Sequence, residues 1–270
     1  MRCAIISDVH GNLDALEAVL ADASAQGAVD QLWCLGDLVG YGPEPNECVA
    51  LLRERGATCV AGNHDWAAIG KMDTAEFNPE ATAAAVWTGQ RLTEENRAYL
   101  DGLPETLLAG EAGEFTLAHG SPREPIWEYL THESVARLNF DYFQTPYCLV
   151  GHTHVPLIFQ RPEAGEKARH YRTVVPSAGT PFALGSQRLI VNPGSVGQPR
   201  DGDAKAAYML YDTESGTGSS KGSGKAKSEK GVSGGTLTLR RVAYPIAAVQ
   251  EKMRSAGLPP RLVLRLTYGW

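Results

Sequence analysis

The sequence predicts an α/β fold whose first half builds a largely parallel sheet, and two observations carry that expectation. Short apolar runs alternate with amphipathic helical stretches over the first 60 or so residues, the order in which parallel strands and packed helices follow one another. From "FTLAHG" onward the runs are mostly strand-like, which implies either a mixed sheet or a second sheet packed on the first.

Taken in order, "CAIIS" reads as a short buried strand. "NLDALEAVLADASAQG" follows as an amphipathic helix, with Leu13, Leu16, Val19 and Leu20 at helical spacing. "QLWCLG" is a second strand, "NECVALLRERG" a helix closed by glycine, and "TCVAG" a third strand. Residues 66–110 are mostly helical in character, with an Ala-rich run near Ala81–Val86 and a helix around Thr93–Leu100. The later strand-like runs are "FTLAHG", "YCLVG", "LIFQR", "RLIVNPG", "AYMLYD" and "TLTLRRVAY", and the C-terminus reads as helix, Gly-Leu-Pro-Pro break, helix. Between the last two strands, residues 213–235 are rich in Gly, Ser and Lys and nearly devoid of apolar groups. They are expected to be a flexible loop inserted in a hairpin of a single domain spanning 1–270, because such a composition cannot offset the entropy of ordering a chain.

Composition narrows the function classes. At 43% hydrophobic and 21% charged, the 270-residue chain has a globular make-up and can bury a sizeable core. A formal net charge of −6 argues against a broad nucleic-acid footprint, so no extended duplex is expected as a partner. No apolar run approaches the roughly 18 residues of a membrane span, and "MRCAIISD" lacks a signal-peptide core. The five cysteines form no Cys-x-x-Cys and four sit in apolar runs, which reads as free buried thiols in a reducing, cytoplasmic setting.

The chemistry lies at the ends of the strands. "CAIIS" is followed by Asp8 and His10, "LWCLG" by Asp37, "TCVAG" by Asn63, His64 and Asp65, "FTLA" by His119, and "YCLVG" by His152 and His154. Each piece alone is accounted for by turn chemistry or a backbone-satisfied histidine. Together they take five of the seven histidines and deliver ligand-type groups at the carboxyl ends of five strands, where α/β sheets bind ligands. His132 and His170 lie in polar surroundings and are expected at the surface. Asp, Asn and His without Cys suit Mn²⁺, Fe or Zn²⁺. Seven candidate donors are too many for one catalytic ion, but two ions sharing a carboxylate would use them all, an arrangement suited to displacement at phosphorus.

At this point the chain resembles the calcineurin-like metallophosphoesterases. "DVH" at 8–10, "GD" at 36–37, "GNHD" at 62–65, "HG" at 119–120 and "GHTH" at 151–154 match that superfamily's motifs in order, over residues 1 to about 212. "SDVHGN" and "NPGSVGQPRDGD" resemble its small bacterial and archaeal phosphodiesterases of the YfcE type. The resemblance implies a four-layer αββα sandwich of two mixed sheets flanked by helices, with two divalent metals between the sheets, Mn²⁺ first and Fe, Zn²⁺ or Ni²⁺ as alternatives. It assigns Asp8, His10, Asp37 and His154 to one metal, and Asp37, Asn63, His119 and His152 to the other. His64 then lies beside the leaving-group oxygen, donating a proton or stabilising charge.

One departure matters. Gly40 and Tyr41 stand where the protein phosphatases have an aspartate and a phosphate-clamping arginine, and the symmetrical diadenosine tetraphosphatases share that arginine. Losing the forked cation favours a less charged phosphodiester over a phosphomonoester. Arg200 is a candidate replacement, and Asn12, Tyr41 and Ser195 are further candidate contacts. The expected activity is hydrolysis of a small-molecule phosphodiester by a metal-bound hydroxide. Phosphomonoesterase or nucleotidase action is the alternative, and a non-catalytic scaffold of the same fold a third reading.

Overall fold

A computed structural model describes residues 1–162, 171–213 and 234–270. In chain order the elements are β1 (Arg2–Ile6), α1 (Leu13–Ala25), β2 (Gln31–Cys34), α2 (Pro45–Glu54), β3 (Thr58–Cys59), α3 (Asn63–Ile69), α4 (Pro79–Gly89), α5 (Glu94–Asp101), β4 (Thr106–Ala109), β5 (Phe115–Ala118), α6 (Glu133–Asn139), β6 (Tyr147–Leu149), β7 (Leu157–Gln160), β8 (Arg172–Val174), β9 (Pro181–Ala183), β10 (Leu189–Asn192), β11 (Ala206–Asp212), β12 (Thr236–Val242), α7 (Ile246–Ser255) and α8 (Pro260–Tyr268). The strands form two six-stranded sheets, β3-β2-β1-β11-β12-β9 and β4-β5-β6-β10-β7-β8. In the first, β1, β2 and β3 are parallel and β11, β12 and β9 antiparallel. In the second, β5, β6 and β10 are parallel, with antiparallel β4 and β7–β8 at the flanks. The fold is thus the expected α/β sandwich of two mixed sheets, and the late strands do both things left open by the sequence. β9, β11 and β12 complete the first sheet, while the others build the second.

Strand periodicity explains why layers form on both sides. Ala4 and Ile6 face the core with α1 and α2, whereas Cys3 and Ile5 face the second sheet. Tyr208 and Leu210 divide from Ala207, Met209 and Tyr211 in the same way, since neighbouring side chains of a strand point to opposite faces. The inter-sheet core is centred on Phe115, whose ring lies 5.2 Å from Trp33, 5.2 Å from Tyr147 and 4.9 Å from Tyr211. Across the second sheet, Cys148, Val150 and Ile190 pack with Ala136 and Phe140 of the α6 region. Val249 and Met253 of α7, with Leu262, Val263 and Leu266 of α8, join the helical core outside the first sheet.

Some elements differ from the sequence reading. Residues 106–109, placed in a helical region, form β4, because four residues are too few to show a period and pairing with β5 decides them. The short β8 and β9 and the helix α6 are likewise additions. All five cysteines are free and buried, and among the described residues no helix is long and apolar enough to cross a membrane. His132 is exposed, while His170 and most of the Gly/Ser/Lys-rich 213–235 stretch lie outside the described residues. The strands flanking that stretch pair antiparallel from Asp212 opposite Thr236.

Candidate metal centre

Because β1, β2 and β3 are parallel, as are β5 and β6, five carboxyl ends reach one edge of the sandwich. The loops leaving them carry Asp8, His10, Asp37, Asn63, His119, His152 and His154, all buried. Among the described residues only five non-glycine residues have a positive φ: Asp8, His10, Asp37, His152 and His154, between 51° and 65°. That conformation costs roughly 1–3 kcal/mol per residue, and its restriction to predicted ligands marks a site held by the surrounding structure.

The carboxylates are tied on one side and open on the other. Asp8 Oδ2 accepts from the His152 backbone N–H at 3.1 Å, and Asp37 Oδ1 from that of His64 at 2.8 Å. Their other oxygens, Asp8 Oδ1 and Asp37 Oδ2, are buried with no hydrogen-bond partner. The histidines follow the same rule. His10 Nδ1 donates to Val39 O (3.1 Å), His119 Nδ1 to Leu35 O (2.8 Å), His154 Nδ1 to Gln198 O (2.5 Å) and His152 Nε2 to Trp127 O (3.0 Å). Each ring therefore turns its other nitrogen inward, where it offers a lone pair whenever the ring is neutral, the outer-shell pattern that orients metal ligands.

Those inward atoms crowd each other. His10 Nε2 lies 3.2 Å from His154 Nε2, and His154 Nε2 is 3.2 Å from Asp8 Oδ1. His119 Nε2 lies 3.0 Å from Asn63 Oδ1, 3.2 Å from His152 Nδ1 and 3.4 Å from Asp37 Oδ2. Asp8, His10 and His154 form one group able to hold a metal, and Asp37, His119 and His152 a second. Asp37 Oδ2 is also 3.6 Å from His10 Nε2, so it reaches both groups. Opposed lone pairs and unpartnered carboxylate oxygens repel unless cations lie between them, so the donor set fits two ions.

Without metal, a proton takes part of that role. Burial pushes Asp8 up to about 7, and burial pulls His10, His152 and His154 well below the ordinary histidine range. Burial disfavours charge on His119 too, but Asp37 and Asp8 facing it outweigh burial and raise it to about 9. Its contribution to the metal-free fold is fully present below 6.5 and is lost as pH rises through about 9. A metal held by His119 would have to displace this proton, so the rise in Tm on adding Mn²⁺ is expected to grow between pH 6.5 and about 9. A thermal-melt series with and without Mn²⁺ checks this, and a gain that shrinks over that range would remove His119 from the ligand set.

Glycines at two motif positions have no room for a side chain. A methyl group on Gly62 would meet Asp37 Oδ1 and its backbone N, and one on Gly151 would meet Ser7 Oγ. The "GNHD" turn is tied down by Asp65, which accepts from Gly62 N (3.0 Å) and Val39 N (3.1 Å). The "GHTH" turn is held by Asn192, whose Nδ2 donates to Gly151 O and to Thr153 Oγ1. Asn192, from β10, was not singled out in the sequence, since a brace differs in no local pattern from a turn asparagine.

His64 opens the α3 helix beside the centre, its ring 5.0 Å from His10, 4.4 Å from Tyr41 and 4.8 Å from Phe77. Its buried Nδ1 has no partner, and a side chain on Gly40 would crowd both it and His10 Nδ1. Burial lowers His64 to about 4. Of the candidate substrate contacts, Tyr41 and Arg200 come together, with Arg200 Nη2 3.3 Å from Tyr41 Oη. Asn12 and Ser195 are buried and engaged by backbone: Asn12 caps α1 and donates to Gly197 O, while Ser195 donates to Asp8 O and accepts from Gln198 N. They brace the loops, leaving Tyr41 and Arg200 better placed to face a ligand.

The sequence reading also missed an aromatic rim. Trp127 and Phe77 stack at 5.5 Å, and Tyr129, 45% exposed, lies 3.8 Å from the His152 ring. Large aromatics inside Pro- and Glu-rich loop sequence, "REPIWEY" and "AEFNP", were the available signal.

Fold and donor set together are those of a metal-dependent phosphoesterase. The family model of the calcineurin-like phosphoesterase superfamily domain matches residues 1–216, and the chain belongs to that superfamily. It is 37% identical over 268 residues to the uncharacterized protein MJ0912 of Methanocaldococcus jannaschii, covering 98% of this chain and 97% of that one. A metallophosphoesterase crystal structure from Sphaerobacter thermophilus superposes with a TM-score of 0.80 at 45% identity, covering 100% of this chain and 99% of the other. A symmetrical bis(5'-nucleosyl)-tetraphosphatase of Vibrio campbellii is 26% identical over 140 residues, 51% of this chain and 50% of that protein.

Proposed function

We propose that this chain, acting as a single domain, is a dinuclear phosphoesterase that cleaves a phosphodiester or a similarly charged phosphoanhydride. The observation that supports this most is the division of the inward donors into two groups, with Asp37 Oδ2 reaching both. Asp8, His10, Asp37 and His154 would hold one ion, and Asp37, Asn63, His119 and His152 the other. Nitrogen and oxygen donors without thiolate suit Mn²⁺, and also admit Fe, Zn²⁺ or Ni²⁺. When bound, such a pair activates a water and neutralises charge on the phosphoryl oxygens.

The chain's own groups do the rest. His64 is neutral near pH 7, because burial holds it down to about 4, so it acts as a hydrogen-bond donor to charge developing on the leaving oxygen. Arg200 lies over the Tyr41 ring at 5.6 Å and brings a cation to the place where Tyr41 replaces the arginine of the protein phosphatases. One guanidinium arriving from a separate loop favours a singly charged phosphoryl group over a dianionic monoester end. The partial relatives named for bis(5'-nucleosyl)-tetraphosphate agree with a substrate cleaved within a phosphate-linked chain.

The test compares Mn²⁺-loaded protein on bis-p-nitrophenyl phosphate and p-nitrophenyl phosphate. The diester is expected to have the higher kcat/KM by about tenfold or more, the worth of one charge-assisted contact. Preference for the monoester would overturn the diesterase reading, and no turnover of either would favour a scaffold.

A further inference from the structure

Beside the His154 ligand group, two guanidiniums meet without a carboxylate. Arg200 Nη2 donates to Gln198 Oε1 at 3.0 Å, and Arg265 Nη1 donates to the same oxygen at 3.1 Å. Nearby acids are already engaged: Asp201 pairs with Arg241, and Glu80 pairs with Arg261. Among the described residues neither Arg200 nor Arg265 has an ion-pair partner, and Arg200 Nε, Arg265 Nε and Gln198 Nε2 are buried donors with no acceptor.

Like charges sharing one acceptor in a half-buried place repel each other, a cost that an arriving anion would reverse. Burial first, and then the neighbouring Arg200, press Arg265 below the ordinary arginine range, in keeping with that geometry. Guanidiniums present forked, fixed donors that match phosphoryl oxygens. The cluster is also wired to the metal centre. Gln198 O accepts from His154 Nδ1 at 2.5 Å, Arg200 N donates to His154 O at 3.3 Å, and the Tyr41 ring beneath Arg200 lies 4.5 Å from His10.

We infer that Arg265, joined to Arg200 through Gln198, forms a second anion subsite that takes a phosphoryl group neighbouring the one being cleaved. The substrate class is then a phosphoester or phosphoanhydride carrying at least two phosphoryl groups, an inference that rests on the phosphoesterase reading above. Arg265 lies on α8, beyond the 1–216 matched by the family model, so the C-terminal helices add this recognition to the shared catalytic core.

The test compares inorganic phosphate with pyrophosphate as ligands of the full chain. Each is measured as an inhibitor of bis-p-nitrophenyl phosphate hydrolysis at fixed free Mn²⁺, and by calorimetric titration of the metal-free protein. The wild type is expected to bind pyrophosphate at least about tenfold more tightly than phosphate, with Arg265→Gln removing that margin and Arg265→Lys keeping part of it. Because both ligands are measured on the same preparation, a partly misfolded variant does not alter the ratio. Equal binding of the two anions by the wild type overturns the subsite, as does an Arg265→Gln loss that falls equally on both. Should no metal support ester hydrolysis, the phosphoesterase reading fails by itself and the calorimetric ratio still decides the subsite.

Discussion

Asp37→Asn is expected to abolish turnover and empty the centre of metal. The exchange keeps an oxygen to accept the His64 N–H at 2.8 Å and replaces only Oδ2, the atom 3.6 Å from His10 Nε2 and 3.4 Å from His119 Nε2. An amide NH₂ there would present hydrogens to both inward donor groups and remove the negative charge that Asp37 offers to each. Burial opposes ionisation of Asp37, but His119, His64 and His10 facing it hold its carboxyl well below the usual range, so the wild-type group is a carboxylate. Changing an outer-shell partner of a metal costs roughly 10–100-fold in affinity, and loss of a shared ligand should exceed that for both ions. Metal content by mass spectrometry, with turnover measured at saturating Mn²⁺, checks it. Two retained equivalents with full activity would mean that Asp37 does not bridge.

His64→Ala should separate chemistry from metal binding. The imidazole contributes no atom to either ligand group, and its backbone N–H, which holds Asp37, survives the exchange. Metal content is therefore expected to stay at the wild-type level while kcat on the diester falls by roughly 10²-fold or more, the usual worth of a positioned acid or hydrogen-bond donor. The pH profile adds a second readout. With His64 neutral above about 4, wild-type activity should not fall through the ordinary histidine range as pH rises, because the donor is an N–H already in place. Unchanged turnover in the alanine variant would remove His64 from the reaction.

Much of this site was legible before any coordinates. Each candidate ligand follows a strand within one to five residues, and a strand's carboxyl end is a place that sequence can locate once the run is recognised. The early βαβ order was equally readable, because buried strands and amphipathic helices carry different periods. The short edge strands β8 and β9 were not, since three half-exposed residues show no period at all. Nor were the roles of Asn12, which shares "DVHGN" with Asp8 and His10, and of Ser195 in "PGSVG", since both spend their polar atoms on backbone.

The residue types and their order determined by themselves that metal-binding groups end the strands, and which family's pattern they follow. Only the tertiary structure decided which oxygen of Asp8 and Asp37 stays open, which nitrogen of each histidine faces inward, and that Arg265 meets Arg200 across 65 residues of chain. The physical reason is that ligand type is a property of one side chain, whereas an unpartnered lone pair or an uncompensated charge is a property of everything packed around it.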